Sequence, residues 1–427
     1  MNSLSEVNLP PARSPTLILA HPTASERRSI WTQSHLKWGG ALVLDEYLHR
    51  EEYLMTVPLA KGGGITHWIL TVDGMDPADR PILSSCETLR KRALVAAKNG
   101  ESVTVAYDKV VNGSKGNGSR NKEKADTTGE GKKVEEVIAH CIGSVFTDPQ
   151  FRGRGYASRM MELVGERLRS YQGALGSVQG CWHHQTLTPP LASISVLFSD
   201  IGKKFYAARG WAAFPSTHLS FTPQATAAPK KSQSVKPIDY YELAELCALD
   251  ERLLRDEMAE RLDCGNRTCV ALAPDLDAFL WHLMREDFMT KRILGHTPRI
   301  RGAVFGAAGS RIWTIWTRSY LSKPPKADGN TLYILRFVVE NESADAMYLS
   351  EGVQAVISAA RNEAYKWKSG HVELWNPSQY LLDLIRQTGL EYEAVEREME
   401  SIPSLQWYGA GRSEDVEWIA NEKYAWY

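Results

Sequence analysis

Thr147 to Met161, TDPQFRGRGYASRMM, puts two arginines and two glycines where strand-like sequence gives way to helical sequence. Upstream, VIAHCIGSVF is almost continuously apolar and β-branched at Val137, Ile138, Ile142 and Val145, the pattern of a strand buried on both faces. Downstream, Met160, Met161, Val164 and Leu168 recur at helical spacing. The first turn of such a helix carries N–H groups without intrahelical partners, and its dipole favours an anion. Gly153 and Gly155 have no Cβ, so a phosphate can approach the backbone closely, while Arg152 and Arg154 add positive charge. Arg152, Gly153, Arg154, Gly155, Tyr156 and Ala157 therefore read as an anion cradle, with an Arg/Gly-rich surface turn as the alternative. No Gly-Lys-Ser/Thr follows, which excludes the P-loop, and the spacing is not a dinucleotide fingerprint.

The elements around the turn follow from periodicity. TLILAHP reads as a first strand, followed by a helix from about Ala24 and another over GGALVLDEYLHREEYL. THWILTVD and a segment within ILSSCETLRKRALVAA give the next two strands. Asn112 to Lys133 has no large apolar residue and is expected to be a mobile insertion between strands. Beyond the turn and its helix, LASISVLFSD reads as a strand, IGKKFYAARGW as a short helix stopping at Gly210, and STHLSF as a strand. Thr222 to Pro237, rich in Pro, Ala, Ser and Lys, is the best domain boundary. Helices over about Tyr240–Arg261 and Asp275–Lys291 open the second half. Strands in IWTIWTR and TLYILRFVV come next, then a helix with Leu349, Val353, Val356, Ile357, Ala360, Ala364 and Trp367 on one face. HVELW, a helix through YLLDLI and strands in YEAVEREM complete an order that repeats that of residues 137–221. The second half thus reads as a divergent copy of the first. Its turn after LRFVV is ENESAD, with no glycine and three carboxylates, so only the first copy is expected to hold an anion.

Lys and Arg number 50 against 51 Asp and Glu, a formal charge of −1, so no global field favours nucleic acid or an acidic membrane. The opening MNSLSEVNLPPARSP lacks the apolar core of a signal peptide, and no run reaches the ~18 apolar residues of a membrane span. Cys86, Cys141, Cys181, Cys247, Cys264 and Cys269 form no zinc spacing and read as reduced thiols. His183 and His184 are adjacent and do not make a metal site. The expectation is a cytoplasmic protein without a metal, nucleic acid or membrane partner.

A strand, Arg-x-x-Gly-x-Ala opening a helix, another strand, and then Phe-Tyr-x-x-x-Gly-Trp at Phe205–Trp211 resemble the GCN5-related N-acetyltransferase superfamily over roughly residues 16–221. More narrowly, SVLFSDIGKKFYAARGW, the PSTHL that follows and the long C-terminal half resemble the fungal lysine N6-acetyltransferases, which acetylate free lysine on its side-chain amine. The resemblance implies an α/β fold with a mixed twisted sheet flanked by helices. It would occupy residues 1–221 with the insertion 112–133, then a linker 222–237 and a second α/β domain 238–427. It further implies acetyl-CoA as cosubstrate with its pyrophosphate on the Arg/Gly turn, Tyr206 near the thioester sulfur, and a small amine acceptor, L-lysine. One departure is Ser199, which stands where the superfamily often has an Asn contacting the coenzyme.

The chemistry fits that expectation. A lysine amine has a pKa of ~10.4, so holding it neutral at pH 7 costs about 4–5 kcal/mol unless burial or a base helps. Backbone N–H groups near Val145, on the strand running into the turn at Thr147, are placed to stabilise an oxyanion. Tyr206, with an unperturbed pKa of ~10, is a proton donor for the leaving thiolate or else a core aromatic. His140 is either a relay for the amine proton or a satisfied structural histidine. Glu135 and Glu136 read as solvated, which leaves the base unassigned and water available for the task. The rival readings are transfer to an amino sugar, polyamine or protein lysine, and non-catalytic acyl-CoA binding. Finally, EWIANEKYAWY carries Trp418, Tyr424, Trp426 and Tyr427, too many large aromatics for a frayed end, so the tail is expected to dock. Two-copy relatives such as N-myristoyltransferase use a terminal carboxylate near the acceptor amine, and the resemblance implies that role for Tyr427. The alternative is a tail that merely seals the interface between the halves.

Overall fold

The computed structural model describes residues 9–97, 134–169, 192–225, 235–264, 267–327 and 329–427. The expected insertion 112–133, together with Cys181, His183 and His184, lies outside them. In chain order the first half runs β1 (Leu17–Ala20), α1 (Ala24–Trp38), α2 (Leu44–Leu54), β2 (Ile65–Val72), β3 (Ser84–Ala96) and β4 (Val134–Phe146). It continues with α3 (Tyr156–Leu168), β5 (Ala192–Ser199), α4 (Lys204–Ala207), β6 (Ala212–Ala213) and β7 (Thr217–Phe221). The second half runs β8 (Lys236–Ile238), α5 (Tyr240–Cys264), β9 (Cys269–Leu272), α6 (Leu276–Leu294), β10 (Gly302–Phe305), β11 (Ile312–Ser319) and β12 (Thr331–Val339). It ends with α7 (Ala346–Lys366), β13 (His371–Trp375), α8 (Gln379–Gln387), β14 (Glu393–Glu396), β15 (Ile402–Trp407) and β16 (Glu417–Trp418).

Two mixed sheets organise these elements. The first has the order β1-β2-β3-β4-β5-β15-β6, and the second, read from its far edge, β8-β10-β11-β12-β13-β7-β14. Pair by pair the orientations agree. Three antiparallel pairs are followed by one parallel pair (β4 with β5, β12 with β13) and then by two antiparallel pairs. Each parallel pair is bridged by a long helix, α3 or α7, as a parallel crossover requires. The second half is therefore a full topological copy of the first.

The halves also trade strands. β7 ends the first half yet pairs with β13 and β14 in the second sheet, while β15 returns to lie between β5 and β6 in the first. The linker expected over 222–237 therefore divides the chain but not the sheets. Neither exchange is visible locally, because a strand's pattern says what it buries and not which sheet receives it. β9, which the sequence reading missed, adds to β3 and is paired in turn by β16.

Alternation sets the faces. On β3 and β4, Leu89, Ala93, Val95, Val137, Ala139 and Cys141 belong to a core shared with Trp281, Trp313 and Ile315 of the second half. Ile142 faces the other way and joins Met160, Met161, Val164 and Leu168 of α3. At ~1.5–3 kcal/mol for each large apolar side chain buried, these layers dominate the stability and hold the β4–α3 junction between them.

Candidate active site

The Arg/Gly turn forms as its composition dictates. Gly153 and Gly155 have φ of 76° and 83°, left-handed values that glycine adopts without steric cost. Gly155 is the N-cap of α3 and supplies no side-chain acceptor, so the first-turn N–H groups stay uncapped. Arg152 and Arg154 are exposed. Arg152 folds back, its Nε donating to the Thr147 carbonyl at 3.0 Å, whereas Arg154 forms no hydrogen bond or ion pair among the described residues. Tyr156 is buried and donates its hydroxyl to the Pro10 carbonyl at 2.8 Å, so residues 10–12 pack beside the turn. The matching helix of the second copy begins differently. Asp345 caps α7, accepting from the Met347 and Tyr348 amides at 3.0 and 3.1 Å. A carboxylate already occupies the place an external anion would take, as the ENESAD turn predicted.

Beyond Ile142 and Leu197 the parallel pairing of β4 and β5 stops, although β4 stays paired with β3 as far as Phe146. The two strands splay, helped by Ser144 at φ 51° and a register shift opposite Ser85 and Glu87. Val145 therefore lies on a stretch of β4 that has left β5, in the slot that opens toward the turn. Thr147 exchanges a 3.0 Å hydrogen bond with the Ser84 hydroxyl. Tyr206 packs into the α3-side core beside Phe205. Burial, reinforced by Cys86 and Asp200, pushes its hydroxyl above the ordinary phenol range, so it is protonated at neutral pH. Ser199 is buried with its hydroxyl committed locally, donating to the Gly202 carbonyl at 2.7 Å and accepting from the Ile201 amide at 3.2 Å. His140 is fully buried opposite Arg90 and Ser195, and alternation puts it on the Ile142 face.

The opposite face of the splay carries the chemistry that sequence reasoning missed. A narrow cleft of about 350 Å³, counting its open mouth, runs between α1, α2, β2 and β3; its walls include Trp31, Tyr47, Glu51, His67, Cys86 and Glu87. His67 Nε2 lies 3.2 Å from Glu87 Oε2, and Ser144 donates a short hydrogen bond to the same carboxylate. Burial disfavours the Glu87 charge, but the His67 and Ser144 contacts outweigh it and hold the pKa below the usual glutamate value. Cys86, in the cleft wall, is an electrostatic neighbour of Tyr206, which ties the cleft to the slot. A signal was present in the sequence. Glu87 and Lys91 share the parity of Leu89, Ala93 and Val95, placing two ionisable groups on an apolar strand face.

The tail docks here. Lys91 Nζ donates to the carbonyls of Tyr424, Ala425 and Trp426 at 3.4, 3.1 and 3.2 Å, and His282 contacts the Tyr424 carbonyl at 3.2 Å. The Tyr427 ring lies against Gly143, where a Cβ would overlap it, and 5.1 Å from the Trp281 ring. Its phenol faces Glu87 without closing a well-aligned hydrogen bond. Tyr427 is thus beside the splay, Tyr206 on the far side of the sheet, and His140 away from the Glu87 face. Among the described residues no group of three His, Cys, Asp or Glu is arranged to hold a metal, and no helix is long and apolar enough to cross a membrane.

One uncapped helix start beside a splayed strand pair, with a carboxylate-lined cleft behind it, defines an α/β enzyme of the acyl-transferring class. Residues 218–427 match the family described as the LYC1 GNAT-like C-terminal domain. A lysine acetyltransferase of Yarrowia lipolytica is 23% identical over 447 aligned residues, covering 94% of this chain and 97% of that protein. An uncharacterised protein of Saccharomyces cerevisiae is 22% identical over 314 residues, covering 70% of this chain and 72% of its own. Among solved structures, a GCN5-related N-acetyltransferase from Kribbella flavida aligns with a TM-score of 0.46 at 13% identity, over 92% of this chain and 71% of its own. The chain belongs to the GCN5-related N-acetyltransferase superfamily, resembles the fungal lysine acetyltransferases and is an acetyltransferase.

Proposed function

We propose that the protein moves the acetyl group of acetyl-CoA to the side-chain amine of free L-lysine by direct attack within a ternary complex. The observation that carries the coenzyme half is the contrast between the two helix starts, bare at Gly155 and self-capped by Asp345. Main-chain N–H groups of residues 153–157 are suited to a pyrophosphate, with Arg154 free to add charge. Acetyl-CoA supplies the activated acetyl thioester. The cleft supports an amine acceptor, because Glu51 and Glu87 attract an ammonium group and the Trp31 and Tyr47 rings suit an aliphatic stem. The name of the Yarrowia relative adds support for lysine.

In this reading His67 takes one proton from the ammonium, and Glu87 stabilises the imidazolium that results. The freed nitrogen forms the amide bond as the carbon–sulfur bond breaks. Backbone N–H groups near Val145 receive the charge that develops on the carbonyl oxygen. Tyr206, kept protonated by burial, donates to the departing sulfur, and the proton on His67 returns to solvent. Neither His140 nor Ser199 has a step in it. Tyr427 borders the acceptor side, where its ring packs on Gly143. The test is a panel of lysine, ornithine, spermidine and glucosamine with acetyl-CoA, following thiol release. Lysine is expected to give the highest kcat/KM; preference for glucosamine would overturn the acceptor, and coenzyme binding without turnover on any amine would overturn the enzyme.

A further inference from the structure

Arg285 lies on α6, one turn beyond Trp281, on the face that meets the tail and α2. Trp281 packs on Tyr427, Phe288 stacks on Tyr53 at 5.4 Å, and the Arg285 guanidinium carbon sits 5.6 Å from the Trp426 ring centroid. Its neighbouring arginines are all committed. Arg50 binds Glu51 at 2.5 Å and the Trp38 carbonyl at 3.2 Å. Arg301 and Arg318 bind Glu286 at 2.6 and 2.8 Å, and Arg336 binds Asp250 at 2.8 Å. Arg285 has no hydrogen bond and no ion pair among the described residues. Burial pulls its pKa down to about 10, which still leaves it charged at neutral pH. A mostly buried guanidinium keeps five N–H donors in a planar fork that fits a carboxylate. Left dry and unpaired it is costly, so its position asks for a partner that arrives from outside.

The surroundings say which partner. Tyr47 and Glu51, the electrostatic neighbours of Arg285, also line the acceptor cleft. Tyr427 neighbours Arg285 as well as Glu87. Glu51 is already held by Arg50 and so is not available to Arg285. The acceptor space therefore has an anionic end at Glu87 and a cationic end at Arg285, with aromatic walls between. We propose that Arg285 binds the α-carboxylate of the acceptor, so that the substrate class is an α-amino acid with a side-chain amine rather than a simple amine or polyamine. The proposal rests on the acetyl-transfer reading and adds its specificity determinant.

Cadaverine is lysine without the α-carboxylate, so the pair isolates this contact. The wild type is expected to favour lysine over cadaverine in kcat/KM by about 10- to 100-fold, the range of a charge-assisted bidentate contact. Arg285→Met should erase that preference by raising KM for lysine, and Arg285→Lys should restore part of it, showing that folding is intact. Calorimetric titration of both amines into the CoA-saturated protein reads the same preference without turnover. A wild type indifferent to the carboxylate overturns the proposal, as does Arg285→Met lowering turnover of both amines equally, which would make Arg285 a support for the tail. If neither amine is acetylated and lysine binds no better than cadaverine, the proposal fails together with the transfer reading. Acetylation of cadaverine and lysine at equal rates defeats the proposal alone.

Discussion

Gly153 and Gly295 make a matched pair that separates backbone strain from coenzyme contact. Their φ angles are 76° and 80°, and a Cβ added to either would meet nothing within 4 Å. An alanine in the left-handed region costs about 1–2 kcal/mol wherever it stands, so Gly153→Ala and Gly295→Ala should lower the melting temperature by similar amounts of a few degrees. Only Gly153 belongs to the turn that is read as the pyrophosphate cradle. Losing one or two charge-assisted amide contacts there should weaken CoA by about 10- to 100-fold. Calorimetric titration of CoA into both variants, with scanning fluorimetry alongside, is the assay. Equal CoA affinities in the two would refute the cradle. Gly155 is a poorer probe, because its Cβ would come within 3.1 Å of the Ala12 side chain and displace the N-terminal segment as well.

Two further outcomes follow from the site. Tyr206→Phe removes only a hydroxyl from a packed ring and should lower kcat by ~10²-fold with CoA affinity unchanged, whereas an unaltered kcat across pH removes Tyr206 from the reaction. Glu87→Gln should cost ~10²-fold at pH 7 and less toward pH 10, where the free amine no longer needs a proton acceptor; a deficit constant with pH would exclude that role. Because the Glu87 pKa is lowered on folding, its charge adds stability above the ordinary glutamate value, and that stability is lost as pH falls through the folded-state value. The melting curves of wild type and Glu87→Gln should accordingly converge in acid.

Local pattern made much of this legible. β4, α3, β5 and α4 lie where apolar periodicity put them, and the glycines of the Arg/Gly turn have the left-handed angles their use required. The duplication was readable too, since it lies in the order of elements. What escaped was long-range. β15 was not anticipated as a strand, and nothing in IPSLQW says that it pairs with Ser199 and its neighbours two hundred positions earlier. Glu87 and His67 escaped for the same reason, since they meet across the β2–β3 pair and acquire their meaning only from Ser144 on a third strand. Arg285 reads in sequence as one charged residue on a charged helix. Its lack of a partner is a property of the folded surroundings alone.

The duplication also explains the tail. In the first copy β4 leaves β5 and opens a slot; in the second, β12 pairs with β13 only as far as Ile334 and Leu374, beside a register shift at Ile315 and Trp316. That second slot is filled by the chain itself. Glu422 accepts from the Phe337 amide at 2.9 Å and pairs with Arg336, while Lys423 Nζ sits 4.4 Å and 3.9 Å from the Tyr333 and Trp375 ring centroids. An exposed β12 amide left without β13 would otherwise need water or a ligand, and here a carboxylate from the tail satisfies it. Three residues later the same segment reaches Lys91, and two more bring Tyr427 onto Gly143 of the open copy. The copy whose helix is self-capped thus retains its slot as a socket for the tail, and through that socket it positions the acceptor side of the copy that stays open.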